Sequence, residues 1–500
     1  MNKNISRRNF VKSTAAITAG MTLIPQGFLT SCMKEGKRPN LLFIFPDQYR
    51  KQAMGFMNQD PVKTPNIDAL SQQGVVFTNA VSNHPLCSPY RGMLLTGKYP
   101  LSNGVLNNCH SGRTQFGNFL KPDDVCFSDV LSQNNYNAGY VGKWHLDGPA
   151  PPKDGGANVW DSYCKPGRYR HGFDFWYSYG ADDNHLTPHY WINGAKEDEA
   201  KYFEQWSPEH EAEVVQKYLE NAGDKFRDDE KPFALFWGIN PPHHPFNLVP
   251  ENYKKNFEGK TEKDVLNRPN VQFTDNTEMG SHGFGDMFVE KRISQATDYF
   301  AMCEGVDEQI GKVLQTLKDQ GLDKNTIVIF TSDHGEMLGS QGMMHKNVWF
   351  SEAFDIPFII RWPEKIKAGQ TDDLLLSVPD VMPTLLGLMG LNKQIPTEVE
   401  GKDYSGIFRN EKVDRPEAAL YFFAKPEDDT EKRRGVKTHT HTYVIAYDNN
   451  GEKMHFLYDD KNDPYQTKNI YGENSELEQD LTEKLREILI RTNDPFISCL

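Results

Sequence analysis

The sequence predicts an α/β protein: a large mixed, mostly parallel sheet flanked by helices, followed by a smaller C-terminal α+β subdomain. Three observations predict it. Unbroken apolar runs at residues 41–45, 233–239 and 326–330 suit strands covered on both faces. They alternate with stretches such as 208–226 and 289–320, where apolar residues recur at helical spacing. Beyond residue 415 the pattern changes to short strands and turns, then one amphipathic helix at 477–490.

The N-terminus reads as an export signal over residues 1–31. Ser6-Arg7-Arg8-Asn9-Phe10-Val11-Lys12 fits a twin-arginine signal, and the apolar run 15–24 is too short to span a bilayer. Leu29-Thr30-Ser31-Cys32 resembles a bacterial lipoprotein cleavage site with Cys32 lipidated. A plain signal peptide cut nearby is the other reading. Either implies an exported protein, in the periplasm or as an outer-membrane lipoprotein, with membrane contact only through the lipid anchor on Cys32. The main domain is expected over residues 37–400, and polar, Pro-containing segments around 397–415 read as a linker to the C-terminal subdomain at 415–500.

A formal charge of −14 argues against a nucleic-acid partner, and an anionic substrate would need a local cluster of cations. Seven cysteines make a poor disulfide framework, and no pairing can be read from them.

The chemistry gathers after the strands. The first apolar run ends in Asp47-Gln48, where open α/β sheets place ligand sites. Thr64-Pro65 starts a helix that Gly74 stops, and residues 75–77 read as a strand. Then comes Leu86-Cys87-Ser88-Pro89-Tyr90-Arg91-Gly92, running into Leu94-Leu95-Thr96-Gly97-Lys98-Tyr99-Pro100. Pro89 suits a first helical turn and Gly97 a stop, so Cys87 sits at a helix N-terminus, which favours an anion. Arg91, one turn on, can reach back to it. A strand at 138–141 leads to Gly142-Lys143-Trp144-His145, where Lys143 and His145 face one way if the segment is extended. Residues 149–207 read as long loops over the site, with His171, His185 and His189 more often structural in such a setting than substrate-facing. The strand at 233–239 ends in Asn240-Pro241-Pro242-His243-His244-Pro245, whose prolines hold His243. The strand at 326–330 ends in Thr331-Ser332-Asp333-His334-Gly335-Glu336, and Gly342-Met343-Met344-His345-Lys346 follows.

These motifs, in this order, resemble the type I, formylglycine-dependent sulfatases of the alkaline-phosphatase-like superfamily: C-x-P-x-R with L-L-T-G-x-Y-P, then G-K-W-H, P-H-x-P and S-D-H-G. The resemblance covers residues 39–464. It implies that Cys87 is oxidised during synthesis to formylglycine, by a formylglycine-generating enzyme. It implies one Ca2+ held by Asp47, Gln48, residue 87, Asp333 and His334. Gln48 and His334 depart from the commonest pattern, an acid and an asparagine; His334 is an unusual ligand for a hard cation and could instead bond the formylglycine or sulfate. Lys143 and Lys346 are implied to contact sulfate, His145 to bond a formylglycine hydroxyl, and His243 to sit at the leaving oxygen. His244 falls at the variable position and His345 outside the pattern.

The implied mechanism starts from the hydrated aldehyde. One hydroxyl attacks sulfur, with the cation lowering its pKa. Arg91, Lys143 and Lys346 offset negative charge, and His243, aided by Lys346, protonates the departing alcohol. His145 then deprotonates the second hydroxyl and sulfate leaves. The export signal and aromatic loops point to a sulfated carbohydrate as substrate. Two other readings stay open: a phosphonate or phosphate ester hydrolase on the same fold, and a non-catalytic glycan-binding lipoprotein in which Cys87 is never converted.

Overall fold

A computed structural model describes residues 37–153, 155–223 and 226–500. The export signal and Cys32 lie outside the described residues. Ten strands form one sheet: β1 Asn40–Ile44, β2 Val75–Val81, β3 Asn137–Lys143, β4 Phe175–Tyr179, β5 His189–Ile192, β6 Lys201–Tyr202, β7 Phe233–Gly238, β8 Thr326–Thr331, β9 Phe358–Arg361 and β10 Gln370–Ser377. Their order is β10-β2-β9-β8-β1-β7-β3-β4-β5-β6. The central run β8-β1-β7-β3-β4 is parallel throughout, and only β9 and β5 are reversed. This is the mixed, mostly parallel sheet the apolar runs predict.

The alternation along β1 shows why such runs form central strands. Leu41, Phe43 and Phe45 enter one core, with the helices Cys87–Thr96 and Val378–Leu388. Leu42 and Ile44 enter the other, with the helices Ser207–Glu220 and Ala296–Asp319. Both sides are apolar because both are covered.

Three expectations are corrected. Residues 149–207 are not loops alone: β4 to β6 lie there and extend the main sheet by three strands. Residues 397–415 are fastened to the core rather than slack. Glu400 accepts from the Tyr99 N–H at 2.6 Å, and the Gly401 N–H donates to the Gly97 carbonyl at 3.1 Å. Thr64 precedes its helix but does not cap it, because its Oγ1 accepts from the Gly55 N–H at 2.7 Å.

Residues 38–500 form one compact unit. It includes a second, antiparallel sheet, β11 Ala419–Lys425, β12 Asp428–Lys437, β13 His441–Tyr447 and β14 Lys453–Asp459, in sequential order, and the helix Ser475–Arg491. The described cysteines are all free thiols. No helix among the described residues is long and apolar enough to cross a membrane.

Candidate active site

Four neighbouring strands deliver the site from their C-terminal ends: β8 supplies Asp333 and His334, β1 Asp47 and Gln48, β7 Asn240 and His243, and β3 Lys143 and His145. The helix Cys87–Thr96, buried along its whole length, brings Cys87 to the same place.

At the bottom Asp47, Cys87, Asp333 and His334 converge, all fully buried. His334 Nε2 lies 3.3 Å from Cys87 Sγ and 3.5 Å from both Asp47 Oδ1 and Asp333 Oδ1. Its Nδ1 donates to the Gly335 carbonyl at 2.9 Å, so the Nε2 lone pair faces the cluster. Burial and the Lys346 charge hold the imidazole well below its usual pKa, so it is neutral. Burial and the Asp47 charge push Asp333 up to about 8. Asp47 is the ionised member: burial opposes its charge, but Lys143, His243, His334 and Arg91 together hold it well below the carboxylate range. Two dry carboxylates and an imidazole aimed at one point fit a divalent cation.

Arg91 sits behind the carboxylates, with Nη2 3.1 Å from Asp47 and 3.4 Å from Asp333. Its guanidinium, expected to reach back to Cys87, is taken up by these acids, the Tyr140 hydroxyl and the Lys143 carbonyl. The helix N-terminus does not make Cys87 anionic. Burial and the Asp47 and Asp333 charges push its thiol up to about 12, so the side chain as encoded is a poor nucleophile.

Two lysines flank the cluster. Lys143 Nζ lies 2.8 Å from Asp47 and donates to Asn240 Oδ1 at 3.0 Å; burial opposes its charge, but Asp47, with Cys87 and Asp183, holds its pKa above the usual lysine value. Lys346 Nζ donates to Gln48 Oε1, while Gln48 Nε2 donates to Glu336 at 2.5 Å. The amide of Gln48 thus has a fixed orientation. Both Gln48 (φ 65°) and His145 (φ 53°) adopt the left-handed conformation. Lys143 and His145 do reach one cavity, but through that turn and not along an extended face.

The cavity above, of about 380 Å³, is lined by Lys143, His145, His243, His244, Lys346 and Trp160, among others. His243 Nδ1 faces the His244 carbonyl at 2.7 Å and Asp183 Oδ1 at 3.1 Å, leaving Nε2 uncommitted. Burial and the Lys143 and Lys346 charges push it down to about 4. His145 Nε2 donates to the Cys109 carbonyl at 3.1 Å, and its buried Nδ1 has no hydrogen-bond partner.

Sequence reasoning missed several groups. His345 lines the cavity, stacks on His244 at 4.5 Å between ring centroids and meets Asp286 at 3.2 Å. Asp183 and Asn240 orient His243 and Lys143, and no motif marked them as such. His185 donates to the His243 carbonyl at 2.8 Å, and His189 is held between Asp161 and Asp182; both are structural. His171 is buried beside Asp129.

Comparison with known proteins bears on this arrangement. A family model described as Sulfatase matches residues 39–391, and one described as N-sulphoglucosamine sulphohydrolase, C-terminal, matches residues 339–493. An endo-4-O-sulfatase of Bacteroides thetaiotaomicron is 41% identical over 93% of this chain and 94% of its own. An ulvan-active sulfatase of Formosa agariphila is 33% identical over 93% of this chain and 83% of its own. A B. thetaiotaomicron structure from work on its metabolism of multiple glycosaminoglycans superposes with a TM-score of 0.83 at 40% identity, covering 92% of this chain and 98% of that one. A phosphonate monoester hydrolase of Agrobacterium radiobacter, 21% identical with a TM-score of 0.69 over 91% of this chain and 96% of its own, shares the fold. With the motifs in order, their side chains gathered at one sheet edge and full-length relatives of this kind, the chain belongs to the sulfatase family, with its alkaline-phosphatase-like fold, and is a sulfuric ester hydrolase.

Proposed function

We propose that the enzyme removes sulfate from a sulfated carbohydrate, using a formylglycine derived from Cys87 and one divalent cation, Ca2+. The observation that carries this is the convergence of Asp47, Cys87, Asp333 and His334 beneath a cavity lined by Lys143, Lys346 and four histidines. The endo-4-O-sulfatase and ulvan-active relatives support a saccharide substrate.

Asp47, Asp333 and His334 would hold the cation, with residue 87 beside it and Gln48 Oε1 next to Lys346. When bound, the ion and the aldehyde hydrate supply Lewis acidity and a hydroxyl nucleophile. The rest falls to the chain. Lys143 and Lys346 receive the anionic group and offset charge developing on its oxygens. Arg91 compensates the carboxylates from behind. His243, fixed through Nδ1, presents Nε2 to the leaving oxygen. An anionic ester between the lysines offsets the charges that depress His243, so the imidazole can take up a proton and pass it to the departing alcohol. His145, with a free Nδ1 lone pair, serves as base. The reading includes export, lipid anchoring at Cys32 and a formylglycine-generating enzyme acting during synthesis.

Peptide mass spectrometry across Cys87, on protein from the native host, tests it. The expected result is loss of sulfur and gain of an aldehyde oxygen; an intact thiol refutes the mechanism. Turnover of sulfated saccharides is expected to exceed that of phosphate and phosphonate esters measured side by side. Elemental analysis identifies the ion; manganese or zinc in place of calcium would trace to the His334 imidazole.

A further inference from the structure

Trp144, Trp176, Trp237 and Trp349 are fully buried, but Trp160 leaves 44% of its surface open. An isolated exposed apolar side chain needs no explanation. Trp160 is not isolated, because it shares the cavity with Lys143, His243 and Lys346. Its ring lies 4.6 Å from that of His110 and 6.1 Å from that of His145.

The backbone on both sides of Trp160 is fastened. The Ser111 N–H donates to the Val159 carbonyl and the Val159 N–H to Ser111 Oγ, each at 2.9 Å. On the other side, Asp161 Oδ1 accepts from the N–H groups of Gly180 and Ala181 at 2.9 and 3.1 Å. Asp161 Oδ2 meets His189 Nε2 at 3.0 Å, and His189 Nδ1 meets Asp182 Oδ2 at 3.4 Å. Asp182 adjoins Asp183, the partner of His243. One buried imidazole therefore braces the segment that carries Trp160 against the segment that orients His243. An open indole held at both ends is preorganised for a flat, apolar ligand face, which lowers the entropic cost of binding one.

We propose that Trp160 is a specificity-determining residue on which the C–H face of the sulfated pyranose ring packs while its sulfate lies between Lys143 and Lys346. This rests on the sulfated-carbohydrate reading. The aromatic face carries negative quadrupole density and complements polarised C–H groups, and the ring supplies a large apolar area at two torsions. Stacking reads the presence of a ring and leaves its hydroxyl pattern to polar neighbours.

The test compares wild type, Trp160→Ala and Trp160→Phe on a 4-O-sulfated N-acetylhexosamine disaccharide, with inhibition by inorganic sulfate measured in each. The expected result is a loss of at least tenfold in kcat/KM for Trp160→Ala, most of it recovered in Trp160→Phe. The sulfate inhibition constant is expected to stay within twofold, which also shows that the anion site has folded. A wild type that turns over the disaccharide and a Trp160→Ala that matches it within twofold overturn the platform and leave the sulfatase reading standing. If wild type leaves this disaccharide intact, the same comparison is made on whichever member of a panel of sulfated saccharides it turns over; turnover of none overturns the carbohydrate reading, and the platform with it.

Discussion

Replacing Glu336 by glutamine changes one oxygen to an NH2 at nearly constant volume. Glu336 Oε2 accepts from Gln48 Nε2 at 2.5 Å, and Oε1 accepts from the backbone N–H groups of Leu338 at 2.9 Å and His345 at 2.6 Å. An amide keeps a single acceptor oxygen. If that oxygen stays with the two N–H groups, the new NH2 faces the NH2 of Gln48. Gln48 must then turn over, which takes its oxygen from Lys346 and sets donor against donor in a buried site. Either arrangement loses a hydrogen bond to a charged acceptor, worth about 1.5–3 kcal/mol, and leaves a buried donor unpaired at a cost of about 1–3 kcal/mol. Glu336→Gln is expected to lose about 3 kcal/mol in urea unfolding with an unchanged m-value. Its kcat/KM is expected to fall on the order of 10²-fold, because a displaced Lys346 no longer offsets charge in the transition state. Unfolding within about 0.5 kcal/mol of wild type would show that Glu336 does not fix the Gln48 amide.

Two further predictions follow from the same geometry. Burial opposes protonation of His189, but hydrogen bonds to Asp161 and Asp182 and their charges push it up to about 9. A histidine raised in this way stabilises the fold fully below about pH 6.5 and ceases to do so as pH rises through 9, a change of about 3 kcal/mol. Denaturation from pH 6 to 10 should show that decline in wild type, and its presence undiminished in His189→Gln would rule it out. Calcium at about 100 times its Kd should stabilise wild type by about 2.7 kcal/mol. Chelator should reverse the gain and Asp333→Asn should abolish it; equal melting of chelated and calcium-loaded wild type would refute the site.

What the sequence announced depended on how each element meets its surroundings. β1, β7 and β8 were legible because burial on both faces demands unbroken apolar runs. β12 was not, since it carries Glu431, Lys432, Arg433 and Arg434. Arg434 nonetheless packs over Phe422 at 3.6 Å and pairs with Asp494 at 2.5 Å, and Arg433 packs over Phe423 at 4.1 Å and pairs with Glu431. A strand whose charged side chains are buried against aromatic rings, with one of them paired to Asp494 some sixty residues away, shows no apolar run to mark it. β10 begins with the polar residues Gln370-Thr371-Asp372-Asp373 at a sheet edge, where apolar alternation is not required. In the site, groups following strand ends were visible as motifs. Asp183 and His345 were not, because their roles arise from loops that meet His243 and His244 only in the fold.

The burial of Cys87 sets an order of events. With 1% of its surface exposed, the thiol is out of reach of any modifying protein once the chain has closed over it. Closure involves the end of the chain. The Phe422 N–H donates to the Asn83 carbonyl at 2.7 Å, Asn83 Nδ2 donates to the Leu420 carbonyl at 2.7 Å, and Asn107 Nδ2 donates to the Ala424 carbonyl at 3.1 Å. The segment that leads into Cys87 is therefore clamped by residues translated more than three hundred positions later. During synthesis Cys87 leaves the ribosome long before its clamp exists. If Cys87 is converted as proposed, that interval is its window, and slowing the last third of translation should widen it.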